Sequence, residues 1–510
     1  MPALKAQKLS LPAKIFVIAA VALIYCPFFS MNMIGQGYIG DSLIQIRIGL
    51  DMISSRGLIL NDIYSWHEGL NWYAHEEGWY FVAGLAYKLA GIAGVIGLTA
   101  VFNYAIAGII YKHELKTVDP YIMLLTSAAG VFLTFPNYNA RPHLVSQLII
   151  TVFVYAMMSG KLSSVRKCIL FAVSAFIMSW FHGGMIPLFF VIFALFIVIE
   201  ALFRQFKTCA VYLAGMVCGF AASLLNPIGI GVWTFGLKQT GASDIWQFVE
   251  EWNPKTFSIP EITLILAFLL GFAVDERLRR FDKNTLIRFA LICMFIIASC
   301  RYCRFMNYTA LFIVMFGGEE LQILLNWIND NITKFDKSSF ELHDISYYIL
   351  TVFCAGFMLF TVITSWLSYF PTNTVSDISA LAAYDEGVIS VLKEKDYDRI
   401  YNSFNTGTWL AFYGIPVHID NRIDPYLEEY SGEDHIRGQM LINTIGDMDA
   451  FVDRYDADAV VLDLMPGTTD EYFADELYAS GRYNVIYDNT VVSNYDGEIS
   501  FRWLIAECVR

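Results

Sequence analysis

Residues 35–80 read GQGYIGDSLIQIRIGLDMISSRGLILNDIYSWHEGLNWYAHEEGWY and lie between apolar runs. A connection of this length between apolar spans is either functional or disordered. This one holds Asp41, Asp51, Asp62, Glu68, Glu76 and Glu77, the imidazoles of His67 and His75, and the rings of Tyr64, Trp66, Trp72, Tyr73, Trp79 and Tyr80. Such aromatic content argues against disorder. Within the stretch, Ser42–Ile53 sets Leu43, Ile46, Ile48, Leu50 and Ile53 among polar residues, the pattern of a helix lying along a membrane surface. The rest of the chain reads as a scaffold that presents this loop.

That scaffold is a membrane one. The 510 residues are 56% hydrophobic, 16% aromatic and 16% charged, with mean hydropathy +0.50, well outside the soluble range. Charge divides the chain in two. Residues 371–510 carry 26 acidic and 9 basic side chains, a charge of −17, which leaves +3 on residues 1–370 out of the total of −14. The expected organisation is a polytopic α-helical membrane domain over 1–370, with a long first outer loop at 30–77, followed by an acidic soluble α/β domain over 371–510. In that second part, short β-rich runs (Arg399–Phe404, Val417–Asp420, Ala459–Leu464, Tyr483–Asp488) alternate with helix-like stretches at 447–455 and 470–479. Asn405-Thr406-Gly407-Thr408 lacks a glycine-rich nucleotide fingerprint and reads as a turn. Eight of the nine cysteines lie in or beside apolar runs, so no disulfide framework is implied, and Cys300 and Cys303 read as ordinary membrane cysteines. No nucleic-acid partner is expected.

Apolar runs long enough to approach a crossing fall near 12–29, 94–111, 119–135, 143–159, 167–181, 185–203, 208–225, 259–274, 285–300, 304–325 and 346–370, about 11–12 spans with the glycine-interrupted run 78–93. Lys5, Lys8 and Lys14 precede the first run, which reads as a retained span with a cytoplasmic N-terminus. If 78–111 crosses once, with 78–93 tilted or re-entrant, most of the basic loops (Lys112 and Lys116; Lys161, Arg166 and Lys167; Arg204 and Lys207; Arg277, Arg279, Arg280 and Lys283) fall inside, as the positive-inside rule demands. The same parity collects the unusual polar residues outside: the 35–80 loop, Arg141-Pro142-His143, His182-Gly183-Gly184, the 226–258 loop with Glu250-Glu251-Trp252, Arg301, Arg304 and the acidic domain. A multi-pass plasma-membrane protein with an extracytoplasmic C-terminal domain follows.

Each of these residues has a chemical and a structural reading. Asp41, just outside the first span, is either a carboxylate of raised pKa fit for general-base work or a helix N-cap. Trp66-His67 and His75-Glu76-Glu77 supply acid–base or ligand groups, or are satisfied histidines in an aromatic belt, since their spacing fits no established metal motif. Arg141 with His143, and Arg301 with Arg304, stand at outer helix ends and either hold a lipid phosphate or snorkel to headgroups. His182 lines a site or ends a turn. Glu250 and Glu251 position a metal or an acceptor hydroxyl, or belong to a solvated loop. Asp420-Asn421-Arg422-Ile423-Asp424 is a charged turn that closes over the site or forms a structural ion pair.

The order of features resembles the C-type glycosyltransferase superfamily: a first span, a long outer loop opening on an acidic residue and containing a surface helix, many further spans, then an extracytoplasmic domain. Its members include protein O-mannosyltransferases, the aminoarabinose transferase acting on lipid A and the catalytic subunit of oligosaccharyltransferase. Asp41 matches the position of the first-loop catalytic Asp. The chain also resembles uncharacterised bacterial membrane proteins with Arg-Pro-His and His-Gly-Gly at outer helix ends, here Arg141-Pro142-His143 and His182-Gly183-Gly184. It departs from the pattern in having Asp41-Ser42 rather than an Asp-Glu pair and in lacking the Trp-Trp-Asp-Tyr-Gly motif, which points away from protein glycosylation. The resemblance implies a glycosyltransferase of the cell envelope that moves a sugar from a polyprenyl-phosphate donor, held among membrane lipid, to an acceptor outside. Asp41 would be the base, Arg141, Arg301 and Arg304 the phosphate holders, and His67, His75 and His182 would line the site. Both metal-dependent and metal-independent members occur, so a divalent metal is left open. The rival readings are a transporter or lipid-linked-sugar flippase, which would place ionisable groups at mid-membrane depth, and a non-catalytic scaffold.

Overall fold

The apolar runs become helices where the sequence offers caps. Eleven helices carry the body of the chain among the residues described: α1 (Leu43–Ser55), α2 (Glu77–Glu114), α3 (Pro120–Phe132), α4 (His143–Met158), α5 (Ser164–Phe181), α6 (Ile186–Leu202), α7 (Phe206–Ser223), α8 (Gly231–Gly241), α9 (Ile259–Val274), α10 (Lys283–Arg301) and α11 (Met306–Phe335). Asp119, Ser163, Ser258 and Asp282 each accept a hydrogen bond from a backbone N–H of the helix that follows, and Ser258 with Glu261 completes a capping box. The computed structural model describes residues 41–72, 74–135, 139–241, 250–335, 383–439, 442–464, 470–492 and 500–509, with scattered positions between 17 and 25 and Ser379. The expected last span at 346–370, most of the first at 12–29, and the domain boundary near 370 lie outside the described residues.

Among the described residues six helical segments are long and apolar enough to cross a membrane, and α3, α4 and α9 are shorter apolar helices. The chain is a multi-pass membrane protein. Its interior is a ring-rich core in which Phe153, Phe171, Phe189 and Phe193 stack or meet edge to face, with centroids 4.0–5.8 Å apart.

The run 78–93 is one arm of a single kinked helix. Helix α2 breaks at Ala90 and Gly91, the latter at φ 59°, where glycine costs least. The arm before the break packs on α1. There Gly49 and Gly84 cross so closely that a Cβ on Gly49 would stand 1.9 Å from the Tyr80 carbonyl oxygen. Beyond the break, Ile106 and Ile110 enter the core of the bundle.

The C-terminal region is a small α/β unit. Its sheet runs β1 (Ile400–Tyr401), β2 (Ala459–Leu464), β4 (Ser500–Cys508), β3 (Tyr483–Val492), with β1 and β2 parallel and the rest antiparallel. Helices α12 (Glu386–Lys395), α13 (Phe404–Phe412), α14 (Ile445–Tyr455) and α15 (Asp470–Ala479) cover it. Strand β2 is buried on both faces, as an alternation of core membership shows. Ala459 and Val461 join α12, α13 and the loop helix α1 in one core, while Val460 and Leu462 join α14 and α15 in another. Helix α1 is therefore shared between the membrane body and this unit. Val417, expected in a strand, instead makes a single parallel bridge to Ser65 of the first loop. Strand β4 was not among the expected strands.

Candidate functional site

At one end of the bundle, side chains from separate segments converge on Arg141. The Ser42 hydroxyl donates to the Ala140 carbonyl at 3.2 Å, which seats the start of α1 beside the turn before α4. Asp41 then reaches Arg141, with its Oδ2 2.8 Å from Nη2. The N-cap reading of Asp41 is not what the geometry shows, because Ser42 occupies the cap position and no side chain caps α1. Arg141 also donates through Nη1 to Glu251 Oε2 at 3.1 Å, and Arg304 stands 3.8 Å from the other Glu251 oxygen. Arg304 lies 4.4 Å over the Trp252 ring. The loop carrying Glu251 is pinned to the helix ends by Cys303 N–H donating to the Asn253 carbonyl at 2.8 Å and Lys255 N–H to the Ser299 carbonyl at 3.2 Å.

Behind this cluster His182, at the end of α5, shares a 2.8 Å hydrogen bond with the Ser146 hydroxyl, which also meets the Tyr308 hydroxyl at 2.8 Å. Burial, and then the charge of Arg304, hold His182 well below the ordinary imidazole range, so it is neutral. His143 is packed at the start of α4 with a buried Nε2 that has no hydrogen-bond partner among the described residues. His75 stacks on Phe235 at 4.0 Å, and its carbonyl accepts from Gly183 N–H at 3.0 Å. Gly183 is required there, since a Cβ would meet Val232 at 2.6 Å and the His75 carbonyl at 3.0 Å.

The carboxyls of the cluster differ in proton affinity. Burial raises Asp41, and Glu251 and Asp420 add to that, while Arg141 and Arg304 restrain it. Burial also works on Glu251, yet Arg304 and Arg141 hold it below the usual range. Glu76, whose Oε2 accepts from Gln45 Nε2 at 3.1 Å, is pushed up to about 8 by burial and by Asp41, against the pull of Arg304. Glu76 was legible in the sequence as part of His75-Glu76-Glu77, a candidate acid–base or ligand group. Asp424, from the C-terminal unit, is likewise pushed up to about 8 by burial, with Asp420 and Asp41 adding to it. Its arrival could be read from the sequence only as a charged turn near the site.

Other expected site residues lie elsewhere. His67 is in the seam between the first loop and the C-terminal unit, where its Nε2 meets His418 Nδ1 at 2.9 Å and its ring packs at a tilt against His435, centroids 4.0 Å apart. Arg301 is exposed and lies 4.6 Å over the ring of its neighbour Tyr302. The Glu250 side chain lies outside what the structure describes. The turn 420–424 forms the structural ion pair. Arg422 Nη2 lies 2.6 Å from Asp420 and 2.5 Å from Asp62, whose side chains are fully buried.

A divalent metal finds no ready set of ligands here. Among the described residues no three His, Cys, Asp or Glu side chains are placed to hold one ion, and the Arg141 guanidinium already bridges Asp41 and Glu251. The positive charge of this cluster comes from arginine.

No family model matches the sequence, and no curated protein matches it. Solved structures do. The apo oligosaccharyltransferase of Archaeoglobus fulgidus superposes with TM-score 0.57 at 11% identity, over 97% of this chain and 75% of that one. The A. fulgidus oligosaccharyltransferase AglB, in complex with an inhibitory peptide and a dolichol-phosphate, gives 0.56 at 11% identity, over 96% and 74%. Apo ArnT from Cupriavidus metallidurans gives 0.53 at 11% identity, over 97% and 98%. The chain has the C-type glycosyltransferase fold. At such identity the likeness is one of architecture, and it spans both the membrane body and the C-terminal unit. Within this C-type fold, Asp41, Glu76, Arg141, His143, His182, Glu251 and Arg304 come from the first loop, three helix ends and the loop before α9, all at one end of the bundle.

Proposed function

We propose that the chain is a membrane glycosyltransferase that moves a sugar from a polyprenyl-phosphate carrier to an acceptor hydroxyl at the outer face of the cell envelope. The observation that carries this reading is the Asp41–Arg141–Glu251–Arg304 chain, set in a fold shared with transferases, one of which has been solved with a dolichol-phosphate. A transfer site needs a carboxylate to take the acceptor proton and cations for the leaving phosphate. Both are present within one connected cluster.

In the proposed reaction Asp41 takes the acceptor proton as the hydroxyl oxygen attacks the anomeric carbon. The bond between that carbon and the carrier phosphate breaks, and the electron pair leaves on the phosphate. Arg141 and Arg304 hold the phosphate through charge-assisted hydrogen bonds. Their present partner, Glu251, is the counter-ion that the phosphate displaces. His182, neutral and hydrogen-bonded to Ser146, fixes the wall behind Arg304. Residues 1–370 and 371–510 are assigned to the membrane and extracytoplasmic domains, with the N-terminus cytoplasmic. This orientation is supported by the far end of the bundle, where Arg277 and Arg288 pair with Glu319 and Lys283 with Glu200.

Asp41→Asn tests the base. It keeps the shape and the hydrogen bond to Arg141, so the variant should fold and bind carrier while transferring at least ~100-fold more slowly. Wild-type turnover in that variant would remove Asp41 from the chemistry. Labelling of Cys508 by an impermeant thiol reagent in intact cells tests the orientation, and labelling only after permeabilisation would reverse it.

A further inference from the structure

Asp424 is brought to the cluster by three anchors of the C-terminal unit. Arg422, beside it, is clamped between Asp420 and Asp62 and lies 5.0 Å from the rings of Tyr64 and Trp72. Trp72 stacks on Tyr80 at 6.0 Å, one turn from Glu76. On the other side, the Tyr430 hydroxyl donates to the Phe235 carbonyl at 3.0 Å, and Phe235 stacks on His75. Ile423, Tyr426 and Leu427 fill the space between, packed with Leu70 and Phe235.

Two features of this turn are costly. Ile423 is held at φ 57°, a left-handed conformation that a β-branched residue rarely adopts. The Asp424 side chain that follows is on a residue only 7% exposed, and its Oδ2 has no hydrogen-bond partner among the described residues. Strain and an unmet buried oxygen thus coincide at one point, within electrostatic reach of Asp41 and Glu76.

We propose that Asp424 is a ligand-binding residue of the transfer site, making hydrogen bonds to a hydroxyl of the donor's sugar. The proposal rests on the transferase reading above. The chemistry of the neighbours selects a hydroxyl. A phosphate at Asp424 would be repelled by Asp41, and the guanidinium nearest to it, Arg422, is already paired with Asp420 and Asp62. With Glu76 and Asp424 both pushed up to about 8, the pair is protonated at neutral pH. A protonated carboxyl offers one O–H and one C=O, and a sugar hydroxyl matches it by donating and accepting without adding buried charge. The C-terminal unit thus contributes to recognition of the sugar, and the first loop and helix ends to the phosphate.

The test uses the full chain in detergent with two probes, bare undecaprenyl phosphate and undecaprenyl phosphate carrying a hexose, the hexose being the one that wild type prefers most strongly over the bare carrier. Asp424→Leu should lose roughly 10-fold or more of the affinity for the sugar-bearing lipid, leave the bare carrier's affinity unchanged and show no loss of thermal stability. Asp424→Asn, which can still donate and accept, should keep most of the preference. Equal loss for both lipids, no loss for either, or a fall in Tm of more than a few degrees in Asp424→Leu overturns the assignment. A wild type that binds neither lipid removes the transferase reading and the assignment with it. A wild type that prefers the sugar-bearing lipid while Asp424→Leu retains that preference removes the assignment alone.

Discussion

Arg422→Met is expected to loosen the C-terminal unit from the first loop, and the size of the effect follows from what the side chain leaves behind. Arg422 is 5% exposed at its side chain and neutralises Asp62 and Asp420, both fully buried. Burial works against Asp62, yet Arg422 and Ser65 hold its carboxyl below the usual range, so it is charged. Removing one partner of a buried pair costs about 3–5 kcal/mol, because the other charge stays buried without compensation. Contacts with the rings of Tyr64, Trp72 and Tyr426 are lost as well. At about 1.4 kcal/mol per decade, amide hydrogen exchange across 62–72 and 417–424 should accelerate by roughly two to three and a half orders of magnitude. Arg280→Met is the control: Arg280 pairs with Glu276 at 3.1 Å with both side chains mostly exposed, a pair worth under about 1 kcal/mol. Exchange in Arg422→Met no faster than in the control would show that Arg422 does not hold the two parts together, and would take away the anchor on which Asp424's placement depends.

Acid should open the same seam. Burial, with His435, pushes His67 down to about 3, and His418 and His435 are also held below the ordinary range, with Asp62, Glu433 and Asp434 pulling the other way and Arg399 and Arg454 adding to the depression. These imidazoles are neutral when docked and titrate near 6.5 when released, so their contribution is complete above about 6.5 and is lost as pH falls from there toward about 3. Protection of the amides at 64–67 and 417–419, after correction for the intrinsic pH dependence of exchange, should therefore fall between pH 7.5 and 5, and His67→Gln should flatten that dependence; pH-independent protection in wild type contradicts the reasoning. Glu251→Gln, which removes the resting counter-ion of Arg141 and Arg304, should tighten binding of undecaprenyl phosphate by roughly 10-fold, on the scale of one charge-assisted pair, and weaker binding would mean that Glu251 organises the arginines rather than occupying their site.

The convergence of Asp41, Arg141, His143, His182, Glu251 and Arg304 could be read from the sequence because topology does the work. Loop charge sets the parity of the crossings, parity sets which helix ends and connecting loops share a face, and those residues stand at helix ends or in the loops between them. Contacts made by the C-terminal unit had no such rule behind them. His67 and His75 are eight residues apart, but the chain between them passes from the seam with His418 to the start of α2, so they serve different places. Arg301 ends α10, whereas Arg304 lies within the three-residue turn Cys303–Phe305 that follows, so the break in the helix sends one guanidinium outward and the other to Glu251. Strand β4 has Trp503, Leu504, Ile505 and Ala506 buried in succession on both faces, so the alternation that marks a half-buried strand is missing. Glu76 was legible as a candidate acid–base group of His75-Glu76-Glu77, but its enclosure beside Gln45 was not, because that depends on the α1–α2 crossing.

Three carboxyls face the proposed ligand, and their surroundings separate their roles. A general base must be ionised before it can take a proton, which at neutral pH disqualifies Glu76 and Asp424, both pushed up to about 8. Asp41 is raised by burial but restrained by Arg141 at 2.8 Å. In the resting site that guanidinium is shared between Asp41 and Glu251. When a carrier phosphate enters and draws Arg141 toward itself, the restraint on Asp41 weakens while its burial remains, so its proton affinity rises. Donor binding would thereby make Asp41 a stronger base at the moment an acceptor hydroxyl has something to attack, and an Asp41 without donor would stay paired with Arg141.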